Sequence, residues 1–307
     1  MTGPAVTGPA VTTVAVVGTG AIGVSWAAHF LNHGLDVVAS DPAPGAEDRL
    51  RDGVAEIGAD PARLTFTADA GQAAAAADLV QENAPERAEV KHALFAVLDE
   101  AARPDVVLAS SSSGMLPTEI ARAATRHPER VLVGHPFHPP HLVPLVEVVP
   151  GERSSEAATD AAMAFYASVG KTPIRLRREL PGHIANRLQA ALWREAYSLV
   201  DRGVASVADI DTAISQGPGL RWAVLGPFAN QHLSGGPGGI AHVLEHLGPP
   251  TEAWWRDLGH PVMTPELERK IIDGVDEELA GVDPAALARY RDTVVRAVLA
   301  AKKEFDT

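Results

Sequence analysis

The 307-residue chain contains no cysteine. That excludes a disulfide framework and a thiolate-bound metal, and it is compatible with a reducing cytoplasm, the location expected here. Nowhere does the sequence run to about 18 consecutive apolar residues, so no membrane span is expected. Basic residues are scarce. Twenty-six Lys and Arg stand against 39 Asp and Glu, a formal charge of −13 that repels phosphate backbones and argues against nucleic-acid partners. The opening MTGPAVTGPAVTT uses the unit TGPAV twice and lacks both the basic stretch and the apolar core of a signal peptide, so residues 1–12 are expected to form a flexible tail. With 46% hydrophobic and 21% charged residues, the remainder has the composition of a globular protein long enough for two domains.

From Val14, short β-rich runs alternate with longer Ala-rich stretches: VAVVG, DVVASD, DLVQEN, VVLASSSS, VLVGHPF, LVEVV and PIRLR. Strands separated by helical segments predict a parallel sheet with crossover helices. After RELPG the β-rich runs stop, and Pro181 suits the first residue of a long helix closed by Gly203. The expected organisation is an α/β domain over residues 13–178 and an all-helical domain over residues 179–307.

The first strand runs into GTGAIG, which places Gly18, Gly20 and Gly23, with Ala21 and Ile22 between the last two, ahead of a helical pattern. Glycines allow a tight turn and close backbone approach, so a pyrophosphate can sit on the N–H groups of the helix start. The second run ends in Asp41, whose carboxylate can accept bonds from ribose hydroxyls and would repel a 2′-phosphate. A doubly wound Rossmann-type sheet binding NAD rather than NADP is therefore expected. The bland alternative is a glycine turn beside an ordinary surface aspartate.

GHPFHPPHLVPLVEVV, residues 134–149, sets Glu147 in an apolar strand-like run, where an unpartnered carboxylate is costly. His135, at the carboxyl edge of the preceding strand, is its natural partner; the pairing would fix the imidazole tautomer and raise its proton affinity. Alternatively, His135 caps a strand and Glu147 joins a surface ion pair. Ser110 to Ser113 also follow a strand, where they can donate to a substrate oxygen or simply cap the helix expected near Thr118.

Taken in order, VGTGAIG, VQENAPE, ASSSSGMLP, GHPFHPPHLVPLVEVVPG and PGHIANRLQAALWREAYSLVDRGVASVADIDTA resemble the L-3-hydroxyacyl-CoA dehydrogenase superfamily. GPGLRWAVLGP and HLSGGPGGIAH resemble its branch containing carnitine 3-dehydrogenase, L-gulonate 3-dehydrogenase and lambda-crystallin. The resemblance implies His135 as general base, Glu147 as its orienting acid, Ser113 and Asn186 as ligands of the reacting oxygen, and Glu82 and Lys91 near the cofactor's ribose and nicotinamide. It also implies a homodimer and a site between the domains. Asn186 read by itself is an ordinary amide early in a helix.

Two departures bear on the substrate. Only about forty residues separate Asp41 from Glu82, where acyl-CoA members of the family carry a longer helical hairpin. Arg221, in GPGLRWAVLGP, could hold a small substrate's carboxylate in a bidentate fork or serve an interface ion pair. Trp222, Phe228, Trp254 and Trp255 could face a quaternary ammonium or act as core and dimer contacts. The expected activity is thus NAD-dependent oxidation of a small L-3-hydroxy acid of carnitine or gulonate type. A 3-hydroxyacyl-CoA dehydrogenase and a non-catalytic NAD-binding scaffold are the alternatives. HVLEH offers His242, Glu245 and His246 in a metallopeptidase-like spacing, but a polar helix face accounts for it better, and no metal is expected.

Overall fold

The computed structural model describes residues 11–305, so the expected tail lies, apart from residues 11 and 12, outside the described residues. The chain divides into two compact units, one reaching Arg187 and the other starting at Leu188. In the first, eight strands form one sheet: β1 (Thr13–Val17), β2 (Asp36–Ser40), β3 (Leu64–Thr67), β4 (Leu79–Glu82), β5 (Val107–Ser110), β6 (Val131–Pro136), β7 (Leu145–Pro150) and β8 (Thr172–Arg175), in the order β3-β2-β1-β4-β5-β6-β7-β8. Helices α1 (Ala21–Asn32), α2 (Ala46–Ile57), α3 (Ala70–Ala76), α4 (Ala88–Ala101), α5 (Pro117–Ile120) and α6 (Glu156–Ser168) connect them.

Alternation along β1 shows why both faces are covered. Val14 and Val16 join one apolar cluster, with Trp26 and Phe30 of α1 and Phe165 and Tyr166 of α6. Ala15 and Val17 join another, with Phe95 and Leu98 of α4. A strand buried on both sides has no polar face, and that is why these runs read as continuously apolar.

Two expectations need correction. The sequence pattern overlooks β3, whose four residues follow a 3-10 turn and pair in parallel with β2. The sheet is also mixed: β6 and β7 pair antiparallel, because the eight residues between them are too few for a helical crossover.

A buried amide–phenol network ties β4, β6 and the residue after β5 to α6. The Tyr166 hydroxyl donates to Gln81 Oε1 at 2.6 Å, and Gln81 Nε2 donates to the Ser111 hydroxyl at 2.8 Å and the Gly134 carbonyl at 3.2 Å. Gly134 must be glycine for this to close, since a Cβ would lie 2.0 Å from the Tyr166 oxygen.

Lys171, ahead of β8, is buried with its Nζ 4.9 Å from the Trp26 ring centre. It donates to the carbonyls of Pro140 and Val143, tying down the β6–β7 connection. Burial pulls its pKa down to about 7. Between that value and the unfolded value of about 10.4, the unfolded chain binds more protons, so stability rises with pH, by up to about 1.4 kcal/mol per unit. Denaturant midpoints measured from about pH 7 to pH 9 should therefore climb in the wild type and flatten in Lys171→Met.

In the second unit, α7 (Ala185–Asp201), which begins just before the division, is followed by α8 (Val207–Ser215), α9 (Pro218–Trp222), α10 (Pro227–Ser234), α11 (Gly239–Asp257), α12 (Pro265–Glu278) and α13 (Pro284–Phe305). The helix expected to open at Pro181 opens instead at Ala185. Gly182 (φ 74°) and His183 (φ 50°) are left-handed, which no helix start accommodates. Gly203 (φ 65°) follows the helix end as expected. Among the described residues of this unit, Val243 and Leu267 are the buried hydrophobic side chains, while Phe228, Trp254, Trp255 and Leu233 are exposed. No described helix is long and apolar enough to cross a membrane.

Candidate active site

The strand order reverses between β1 and β4, and a ligand crevice is expected at the carboxyl ends of such a pair. A cavity of about 880 Å³ opens there, lined by Gly18, Gly20, Asp41, Asn83, Ala84 and Val90 among others. The three glycines serve different ends. Gly18 (φ 89°) lies so near the Asn83 backbone that a Cβ would sit 2.8 Å from its carbonyl carbon, and a Cβ on Gly23 would lie 1.9 Å from the Gly18 oxygen. Around Gly20 a Cβ would meet no protein atom within 4 Å. Space left empty by the protein at the start of a twelve-residue helix is the cradle a dinucleotide pyrophosphate requires. Ala21, Ile22 and Gly23 form that helix's first turn, with no capping side chain in the way.

Asp41 braces the turn. Its Oδ2 accepts from the Thr19 N–H (2.9 Å) and hydroxyl (3.1 Å), and its Oδ1 from the Ala43 N–H (2.9 Å). Oδ2 is thereby filled by two donors, while Oδ1, with one, keeps a lone pair for a hydroxyl donor. The residues present therefore fit NAD.

Different outcomes are expected for two glycine replacements. Gly20→Ala should keep its thermal midpoint while weakening NAD binding, because its methyl enters only the ligand's space. Gly23→Ala should lose about 1–3 kcal/mol of stability through overpacking as well as NAD affinity. Calorimetry and NAD titration of both variants test this.

His135 and Glu147 face each other directly across β6 and β7. Residues opposite one another in an antiparallel pair share a face, so the hairpin itself forces the two side chains together. His135 Nδ1 lies 2.9 Å from Glu147 Oε2, and both residues are buried. Glu147 Oε1 accepts the N–H groups of Ile184 (2.9 Å) and Ala185 (3.0 Å). Burial pushes the Glu147 carboxyl up, but the bonds from His135, Ala185 and Ile184 outweigh it and hold it below the ordinary carboxylate range. Against an ionised Glu147, His135 carries its proton on Nδ1 and leaves Nε2 as an acceptor. The same carboxylate fixes the backbone immediately ahead of Asn186, the second residue of α7.

Ser113 is exposed in a bend between β5 and α5. Glu86, which the sequence reading passes over, holds that bend from both sides: its Oε1 accepts the Ser112 hydroxyl and the N–H groups of Gly114 (3.1 Å) and Met115 (3.0 Å). Burial raises the Glu86 carboxyl, but these three bonds together lower it. Its partners lie 26 to 29 residues away in sequence, so no local pattern marks it.

Glu82 and Lys91 meet, but in the protein's interior. Lys91 Nζ donates to Glu82 Oε1 (2.8 Å) and Oε2 (2.9 Å) and to the Ala84 carbonyl (3.0 Å); Ser110 donates to Glu82 at 2.6 Å. With Glu82 0% and Lys91 1% exposed, the pair underpins the Asn83–Ala84 backbone that lines the cavity and is not itself among the lining residues.

Within the second unit, Arg221, Trp222, Phe228, Glu252 and Trp255 line another cavity of about 670 Å³, and Trp254 is not among its lining residues. On α11, ligand atoms of the exposed residues His242, Glu245 and His246 lie within 4.8 Å of one another.

Comparison with known proteins places these features in context. Residues 13–180 match the family model described as 3-hydroxyacyl-CoA dehydrogenase, NAD binding domain, and residues 182–275 match the corresponding C-terminal domain. The chain is 49% identical over 296 residues to an L-carnitine dehydrogenase of Streptomyces coelicolor, covering 92% of each. It is 47% identical over 298 residues to one of Pseudomonas aeruginosa, covering 94% of this chain and 92% of the relative. Among solved structures, it resembles the FHMPC 5-dehydrogenase described as an NAD+ dependent dismutase, with a TM-score of 0.79, 28% identity, and coverage of 96% and 98% of the two chains.

Proposed function

The chain belongs to the 3-hydroxyacyl-CoA dehydrogenase family, and from that premise we propose that it oxidises the 3-hydroxyl of L-carnitine, or a closely similar small L-3-hydroxy acid, to the 3-keto acid. It is an NAD-dependent dehydrogenase. The observation that carries the substrate choice is near-complete coverage, at 44–49% identity, by relatives that are L-carnitine dehydrogenases. The β2–β4 connection supports it, since α2, β3 and the seven-residue α3 leave no long hairpin to hold a CoA moiety.

NAD held over Gly18, Gly20 and Asp41 would supply the hydride acceptor for C3. His135 Nε2 accepts the hydroxyl proton, and Glu147 keeps the imidazole in the tautomer able to do so. Ser113 and Asn186 donate to the oxygen as its charge changes. Asp41 accepts from ribose hydroxyls, and the Glu82–Lys91 pair supports the cofactor cavity from beneath. Arg221 anchors the substrate carboxylate, and the aromatic rings sharing its cavity suit a trimethylammonium group. The exposed apolar side chains of the helical unit favour a homodimer. Reliance on the cellular NAD pool favours a cytoplasmic location.

NAD reduction should be compared with L-carnitine, L-gulonate, 3-hydroxybutyrate and 3-hydroxybutyryl-CoA. L-Carnitine is expected to give the highest kcat/KM. Turnover of the CoA ester alone overturns the proposal, and NAD binding without any turnover points to the scaffold reading.

A further inference from the structure

His183 lies outside every role assigned above, yet it packs on His135 and bonds to the residue before Ser113. Its side chain is fully buried, and its ring centre lies 5.2 Å from that of His135, the planes tilted by 54°. Nε2 is 3.1 Å from the carbonyl oxygen of Ser112, the residue before Ser113. A carbonyl only accepts, so Nε2 carries the hydrogen and the neutral ring keeps a bare lone pair on Nδ1. That Nδ1 has no hydrogen-bond partner and is sealed from solvent. Such an orphan acceptor is uncommon in a folded protein and calls for an explanation.

The backbone adds a second observation. His183 is the one non-glycine residue with positive φ among the described residues. A histidine in that region persists where its surroundings over-determine it. The next two N–H groups are those held by Glu147, and Asn186 follows three residues on.

We propose that His183 is a positioning residue for proton transfer: anchored to the Ser112 carbonyl, it packs against His135 a neutral ring with an unpaired Nδ1, so that the imidazolium formed there meets a neutral acceptor ring instead of a second cation. The proposal rests on His135 being the base. The charged and titratable groups around His183 are His135 on β6, Glu147 on β7 and Glu86 on the segment leading into α4. Burial lowers the His183 pKa, and His135 adds to this against the pull of the two carboxylates and the Ser112 bond, so the ring is neutral when His135 takes its proton. Phenylalanine would fill the same volume without the lone pair. Glutamine would restore a donor for Ser112 and an acceptor oxygen.

The test is an NMR titration of the His135 imidazole in full-length wild type, His183→Phe and His183→Gln, with the resonance assigned by its loss in His135→Gln. In His183→Phe the midpoint should fall by about half to one pH unit, equivalent to a roughly three- to tenfold loss of proton affinity; His183→Gln should recover most of the shift. The acidic limb of kcat/KM with L-carnitine should move in parallel, kcat should fall by a similar factor, and NAD affinity should not change. Coincident His135 titrations in wild type and His183→Phe overturn the proposal, as does a loss of kcat in both variants with no displaced midpoint, which marks His183 as packing alone. Absence of turnover in the wild type counts against the proposed function, while the titration still reads the histidine pair directly.

Discussion

His135→Gln should lower kcat by roughly two to four powers of ten while leaving NAD affinity within about twofold of wild type. The first half of that expectation follows from proton accounting. Glu147 occupies Nδ1, so Nε2 is the nitrogen able to receive the hydroxyl proton; a glutamine amide has no comparable basicity. The second half follows from location. His135 is not among the residues lining the NAD cavity, whose walls come from the carboxyl ends of β1, β2 and β4 and from α4. Pre-steady-state NADH formation and isothermal NAD titration of the same preparation separate the two effects. Turnover within tenfold of wild type would remove His135 as the base.

Glu147→Ala should damage stability and rate together. It leaves a buried imidazole N–H and two part-buried backbone N–H groups without their acceptor, a loss expected to cost about 3–5 kcal/mol. Catalysis should fall by about two to four powers of ten, the scale on which losing an orienting carboxylate disables an imidazole base. Glu147→Gln separates these contributions. Its amide oxygen can still receive the N–H groups of Ile184 and Ala185, so stability should recover more than rate. The pH dependence carries a defined sign: because the folded carboxyl titrates below its unfolded value, its contribution is fully present above that unfolded value and is lost as pH falls through the folded one. Acid-unfolding curves of wild type should therefore be steeper in this window than those of Glu147→Gln. Equal curves would show that the carboxylate contributes no net ionised-state stabilisation.

Much of the site could be read before any coordinates because its chemistry is written in local patterns. The glycine turn, the acid after the second strand and the lone glutamate in an apolar run are each confined to a few neighbouring residues. What escaped the reading depends on distant partners. LTFT alternates like a strand but is only four residues long, and β3 is held in place because β2 offers it an edge. Glu82 is polar and sits beside cavity-lining Asn83, but its side chain turns inward to Lys91 and Ser110, a direction that spacing does not encode. Glu86 is recognisable only once the bend around Ser113 has folded against it. His183 has no helical or strand periodicity, and its left-handed backbone is set by the surroundings that also pushed the start of α7 to Ala185.

The two oxygens of Glu147 grip unlike things, one an imidazole that gains and sheds charge, the other a stretch of main chain that does neither. Reciprocity between linked equilibria then makes each a gauge of the other. Charging His135 strengthens the negative centre's hold on its cation and reshapes what it offers Ile184 and Ala185; loosening those amides alters how readily His135 accepts a proton. Amide exchange at these two positions should accordingly report the ionisation of a ring nearly fifty residues away in sequence.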